Sequence, residues 1–181
     1  MLQKEIISEL VANVVEIQIW AETLRNIDES KLKKRPSDSG WSALECIDHL
    51  NRYNEFYIPT FWKGLEKARK KTTEKYKAGW LGNKMANDML PINGKLRSTM
   101  KTFKSKNPTL NGFNPNALEI FIENQRTLLQ ILDRATSIDI ESVSVPTTIS
   151  FLRLKLGDAL RFVINHQIRH VVQVKRALLN A

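Results

Sequence analysis

Apolar residues recur at three- and four-residue steps in four stretches of the chain, the period of a helix with one buried face. Over residues 2–27 the stripe is Ile6, Leu10, Val14, Ile17, Ala21 and Leu24, with Lys4, Glu9, Glu16 and Arg25 mostly off it. Residues 28–40 hold Pro36, Ser37, Asp38, Ser39 and Gly40, which is loop composition. A second helix then has a marked start. Ser42-Ala43-Leu44-Glu45 reads as a capping box, the Ser hydroxyl taking a first-turn N–H and the Glu reaching back, with Trp41 placed to pack on the first turn. Cys46, His49, Tyr53, Phe56 and Thr60 form its stripe, with Leu50, Tyr57 and Phe61 alongside. Pro59 is expected to kink it, and it should end near residues 70–71. A third helix is predicted from Asn114 as cap and Pro115 as first residue, with Leu118, Phe121, Gln125, Leu128, Leu132 and Ala135 inward. A fourth starts near Gly157-Asp158 and runs to about Leu179 along Leu156, Ala159, Leu160, Val163, Val174 and Ala177.

Between helices two and three, residues 72–113 show one short helical pattern near residues 80–90, ended by Pro91, and otherwise read as exposed loop. So long a connection is unusual between packed helices, is often functional or mobile, and can cross from one end of a bundle to the other. Residues 136–145 are polar and β-branched, a loop or short extended piece, and 146–153 follow neither period. No alternating run argues for a sheet. The expectation is therefore all-α: a four-helix bundle with a long connection between helices 2 and 3. At 181 residues it should form a single domain over 1–181.

Composition narrows the setting. The single cysteine, Cys46, excludes an internal disulfide and points to a reducing, cytoplasmic environment. The first turns carry Lys4, Glu5 and Glu9 rather than the apolar run of a signal peptide, and no stretch is long and apolar enough for a membrane span. The net charge of +9 is concentrated in Lys63, Lys67, Arg69, Lys70, Lys71, Lys75 and Lys77, and again in Lys95, Arg97, Lys101, Lys104 and Lys106. Few aromatics are interleaved with these cations, so a solvated surface is favoured over a nucleic-acid footprint.

The chemistry lies in the histidines. The chain has three, and each falls on a predicted apolar stripe. His166 and His170 are four apart and share one helix face; His49 comes from the second helix. Neutral imidazole is a common ligand for divalent transition metals, and three protein ligands leave a position open to water or substrate. Single inward histidines are more often hydrogen-bonded core residues, but three with none elsewhere argue for a tripod. Glu45 and Tyr53 flank His49 by one turn each and are candidate catalytic groups, Glu45 as base or histidine-orienting acid and Tyr53 as substrate donor. Their bland roles are capping acid and core aromatic. Gln125 is a candidate donor behind the ligands, Cys46 a buried thiol, and Arg169 a surface or interface residue pointing away from the pair.

Gly40-Trp41-Ser42-x-x-Glu45-x-x-x-His49-Leu50 resembles the second-helix motif of the DinB/YfiT-like superfamily. The segment from Leu156-Gly157-Asp158 through Asn165-His166-x-x-Arg169-His170-x-x-Gln173 resembles the fourth-helix motif of its DinB-like branch. The resemblance implies an up-down-down-up bundle, usually a homodimer, with a divalent metal on three histidines that map onto His49, His166 and His170. It implies Zn²⁺ or Ni²⁺ as the ion, and a small-molecule substrate. Members include S-transferases acting on low-molecular-weight thiols and proteins described as metal-dependent hydrolases. The leading expectation is a metal-dependent enzyme of one of these kinds. The alternatives are a non-catalytic binding protein stabilised by its metal, or, ranked lower, a basic nucleic-acid-associated stress factor.

Overall fold

Four long helices carry the molecule, and three of them begin where the apolar period begins. The computed structural model describes residues 1–70, 74–96 and 102–180. In order, the elements are α1 (Gln3–Thr23), α2 (Glu29–Lys33), α3 (Ala43–Lys67), α4 (Trp80–Met89), α5 (Pro108–Asn111), α6 (Ala117–Ala135), β1 (Ser144–Pro146), β2 (Arg153–Lys155) and α7 (Leu156–Leu179). Of the described residues 66% are helical, in accord with an all-α fold. Helix α3 packs against α6 and α7, α1 against the same two, and α4 against α7.

The capping box at α3 is formed as expected: Ser42 Oγ accepts from the Glu45 amide at 3.2 Å, and Glu45 Oε2 accepts from the Ser42 amide at 2.8 Å. The helix runs through Pro59 without a break and ends at Lys67, earlier than expected. Its buried edge continues as Tyr57, Phe61 and Leu65, leaving Phe56 and Thr60 half-buried at the margin. Helix α6 begins two residues later than the Asn114-Pro115 pair suggests. The Asn114 amide donates to Asp48 at 3.1 Å, and its side chain accepts from the Asn116 amide at 2.9 Å. Pro115 is thereby held in a turn, and the helix starts at Ala117. The expectation of no sheet is corrected by an antiparallel pair, β1 with β2, in register Val145↔Leu154. Each strand has three residues with only the middle one buried, too few for alternation to register along the sequence.

Two apolar clusters fill the interior. One gathers Ile6, Leu10, Tyr57, Phe61, Leu132, Ile140 and Leu160; the other gathers Ile17, Leu24, Ile47, Leu50, Phe121 and Val174. Helices α3, α6 and α7 also bury polar side chains: Asn51, Asn54, Gln125, Asn165 and Gln167. Asn51 donates to the Ala117 carbonyl at 2.8 Å, and Asn165 to the Ala86 carbonyl at 3.0 Å. The second bond holds α4 against α7. Gly82 allows their close approach, because a Cβ there would lie 2.6 Å from Asp158. Asp158 in turn accepts from the Gly79 amide at 2.8 Å, at the start of α4. No helix among the described residues is long and apolar enough to cross a membrane.

Candidate metal centre

The helical spacing that predicts a shared face for His166 and His170 is met on α7, where their Nε2 atoms stand 3.0 Å apart. Helix α3 brings His49 to the same point. Its ring centroid is 4.7 Å from that of His170 and 5.3 Å from that of His166. All three are buried, and one nitrogen from each lies within 4.8 Å of the other two. Ligand atoms around a tetrahedral zinc are roughly 3.4 Å apart, a spacing the observed range brackets. The donor set therefore fits a divalent ion and is able to bind one.

The state of the rings supports this. Burial pulls His49 down to about 4, its bond to the Lys106 carbonyl opposing only part of the shift. Burial, together with the neighbouring imidazoles and Arg169, holds His166 and His170 well below the ordinary histidine value. All three are neutral near pH 7, the form that ligates. His49 Nδ1 donates to the Lys106 carbonyl at 2.7 Å, which fixes the tautomer with the Nε2 lone pair directed away from that bond. Between His166 and His170 one Nε2 must donate to the other when no ion intervenes. An ion there lets both present lone pairs.

The carbonyl that holds His49 belongs to a segment in which no helical period is legible. Residues 102–114 lie across α3 and are bound to it at several points. Arg52 Nη2 donates to the Gly112 carbonyl at 2.5 Å, and Arg52 Nε to Asp48 at 2.7 Å. The Lys106 ammonium donates to the Arg52 carbonyl and stands 5.7 Å from the centroid of the Tyr53 ring. Lys106 is thus turned inward, contrary to the solvated-surface expectation for this run. Of the two basic runs, Lys71, Arg97 and Lys101 lie outside the described residues.

A cleft of about 900 Å³ opens onto the histidines. Trp41, Tyr53, Met85, Met89 and Phe162 give it an apolar, aromatic wall, and Lys104, Arg169 and Arg176 are the cations that line it. None of its described lining residues is acidic. Trp41, expected to pack on the first turn of α3, also lies 4.9 Å from the His49 ring, centroid to centroid.

The two candidate catalytic groups separate. Tyr53 lines the cleft, with its ring centroid 5.0 Å from His49 and 4.8 Å from His166. Burial pushes its hydroxyl up to about 12, so it stands as a neutral donor. Glu45 does not line the cleft. Burial acts to raise its pKa, but the Arg35 guanidinium and the Ser42 amide outweigh it and hold the carboxylate ionised. Arg35 Nε donates to Glu45 Oε2 at 2.9 Å. Gln125 is buried on α6 and donates to the Phe121 carbonyl at 3.1 Å within its own helix. Cys46 is a buried free thiol whose pKa burial raises strongly, a core residue rather than a nucleophile.

Arg169 is a correction. Expected at the surface or at an interface, pointing away from the histidine pair, it is only 5% exposed and lines the cleft. The sequence held the signal: Arg169 follows His166 by three residues, and i, i+3 positions are neighbours on a helix. The Lys106 carbonyl has no such signal, because any residue type supplies one.

A sequence model described as the DinB superfamily matches residues 15–174, a span that includes all three histidines. No curated protein and no solved structure matches the chain.

Proposed function

The chain belongs to the DinB superfamily, and on that footing we propose that it is a metal-dependent enzyme, with a thiol S-transferase the leading reading. His49, His166 and His170 would hold the ion, Zn²⁺ or Ni²⁺. The observation that carries this is the convergence of three neutral, buried imidazoles at the floor of a cleft. When bound, such an ion supplies the Lewis acidity that makes a thiol or a water nucleophilic at neutral pH. The remaining work falls to the chain itself. Tyr53 donates a hydrogen bond to the substrate beside the histidines, the Lys106 carbonyl keeps the His49 tautomer, and the apolar wall excludes bulk water.

The thiol reading is preferred to the hydrolytic one for a stated reason. Ester or amide hydrolysis calls for a group that takes a proton from attacking water, and no carboxylate lines the described cleft. Glu45 is engaged by Arg35 and Ser42. A thiol, more acidic than water, can release its proton to solvent at the cleft mouth before it attacks, so it needs no base poised during the step, and Met85, Met89 and Phe162 suit a soft sulfur and an apolar electrophile. The proposal includes the up-down-down-up arrangement of α1, α3, α6 and α7 in one domain, a cytoplasmic setting and a homodimer.

The test is a transfer assay. Zinc- or nickel-loaded protein is mixed with bacillithiol, glutathione or coenzyme A and with chlorodinitrobenzene. The expected result is thioether formation above the uncatalysed rate, lost in His170→Ala. A loaded protein that never exceeds background with any of these thiols contradicts the transferase reading. If it also hydrolyses no ester, the metal is left a purely stabilising role.

A further inference from the structure

The cleft walls carry one feature that metal binding does not require. Arg169 is 5% exposed, sits on the cleft side of α7 and follows His166 by three residues. Further along the same helix, Gln173 and Arg176 also line the cleft, and Lys104 faces it from the 102–107 segment. The progression 169, 173, 176 keeps to one helical face, so a ladder of donors leads outward from the histidines. Arg176 is six residues beyond His170, about 9 Å along the axis. Against these cations the described lining offers no acidic side chain. In a cleft with low-dielectric walls such an imbalance focuses a positive potential inward.

We propose that this cleft selects a substrate bearing an oxyanion, a carboxylate or a phosphate, and that Arg169 is the residue that binds it. The guanidinium fork matches two oxygens of either group, and a charge-assisted pair of this kind is strongest where water is excluded. The anion would lie about one helical turn from the imidazoles. The apolar remainder of the molecule would rest on Met85, Met89 and Phe162. Arg176 and Lys104 would draw the anion in from the mouth. A neutral thiol or electrophile of the same shape would therefore bind less well. This assignment rests on the cleft being the substrate site, as proposed above, but not on the presence of a metal.

Three probes share a benzyl body and differ only in the charged end: phenylacetate, benzylphosphonate and the neutral phenylacetamide. Each is titrated calorimetrically into the full chain, first metal-loaded and then after chelation. At least one anion should bind about tenfold more tightly than the amide in both states. The probe that gains more tells whether carboxylate or phosphate is favoured. Arg169→Gln should abolish the preference while metal content remains that of the wild-type chain. Arg169→Lys, which keeps the charge and loses the fork, should retain a reduced preference, and it carries the test if Arg169→Gln does not fold. The proposal is overturned by the absence of any preference, by a preference undiminished in both variants, or by one confined to the metal-loaded protein, where the anion would be sitting on the ion. Failure of the metal reading looks different: no ion is taken up, yet the Arg169-dependent preference persists.

Discussion

The two sides of the histidine site are built by different means. On one side, α3 and α7 deliver His49, His166 and His170 through helical spacing and apolar burial alone. On the other, residues 102–114 have no long helix, and they are held by side-chain and backbone bonds to Asp48, Arg52 and His49. The first side places the ligand atoms; the second fixes which nitrogen of His49 is available. The comparison teaches that the donor set is a product of the core, whereas its tuning depends on a strap tied to α3 by hydrogen bonds. Disturbing the two sides should therefore have separable consequences.

The largest effect belongs to the metal itself. An ion that binds only the folded chain stabilises it by about 4 kcal/mol at a free concentration a thousand times its dissociation constant. Thermal melting with and without chelator should show this gain in wild type and none of it in His49→Ala. Next comes pH in the metal-stripped chain. The folded value of His49 is about 4, below the ordinary 6.5 of an unfolded histidine. The unfolded chain therefore takes up the proton first as pH falls. Stability is fully present above about pH 6.5 and is lost as pH falls towards 4, by about 3 kcal/mol for this residue alone. Denaturant melts at several pH values check the sign, and bound metal should shift the loss to lower pH.

A smaller effect is expected from the strap. Asp48→Ala removes the acceptor for Arg52 Nε and for the Asn114 amide. It should cost about 2 kcal/mol through the loss of two part-buried hydrogen bonds, one of them charge-assisted. Metal affinity should weaken about tenfold as the carbonyl behind His49 loses its footing. Hydrogen exchange over residues 102–114, with metal titration, reads both. If affinity is unchanged while exchange rises, the strap does not tune the site. The smallest effect is at Glu45. Glu45→Ala should cost about 1 kcal/mol through the lost cap and the Arg35 pair, and should leave metal affinity unaltered. A collapse of turnover with metal intact would restore Glu45 as a catalytic candidate.

What could be read from the sequence follows the same division. The Ser42–Glu45 cap, the α4 stop before Pro91 and the span of α7 are local signals, and each appears in the structure where the residues place it. The convergence of His49 with His166 and His170 was legible because all three ride on apolar stripes that must face one interior. What escaped was decided by tertiary partners. Asn114 bonds Asp48 and so delays α6; the strands pair over three residues only; the five-residue α2 lies in a run of loop-forming composition. Lys106 reads as surface charge, yet its carbonyl and its ammonium both turn inward. Arg169 reads in sequence as pointing away from the pair, yet its three-residue step from His166 sets it on the cleft side of α7.

The central claim is that three imidazoles from α3 and α7 hold one divalent ion. Metal analysis of the purified, tag-free chain, alongside His170→Ala, tests it most directly. The account predicts one divalent ion per wild-type chain and a large loss in the variant. A wild-type chain that remains metal-free after incubation with zinc and nickel, or a His170→Ala chain that retains its full ion, would contradict it.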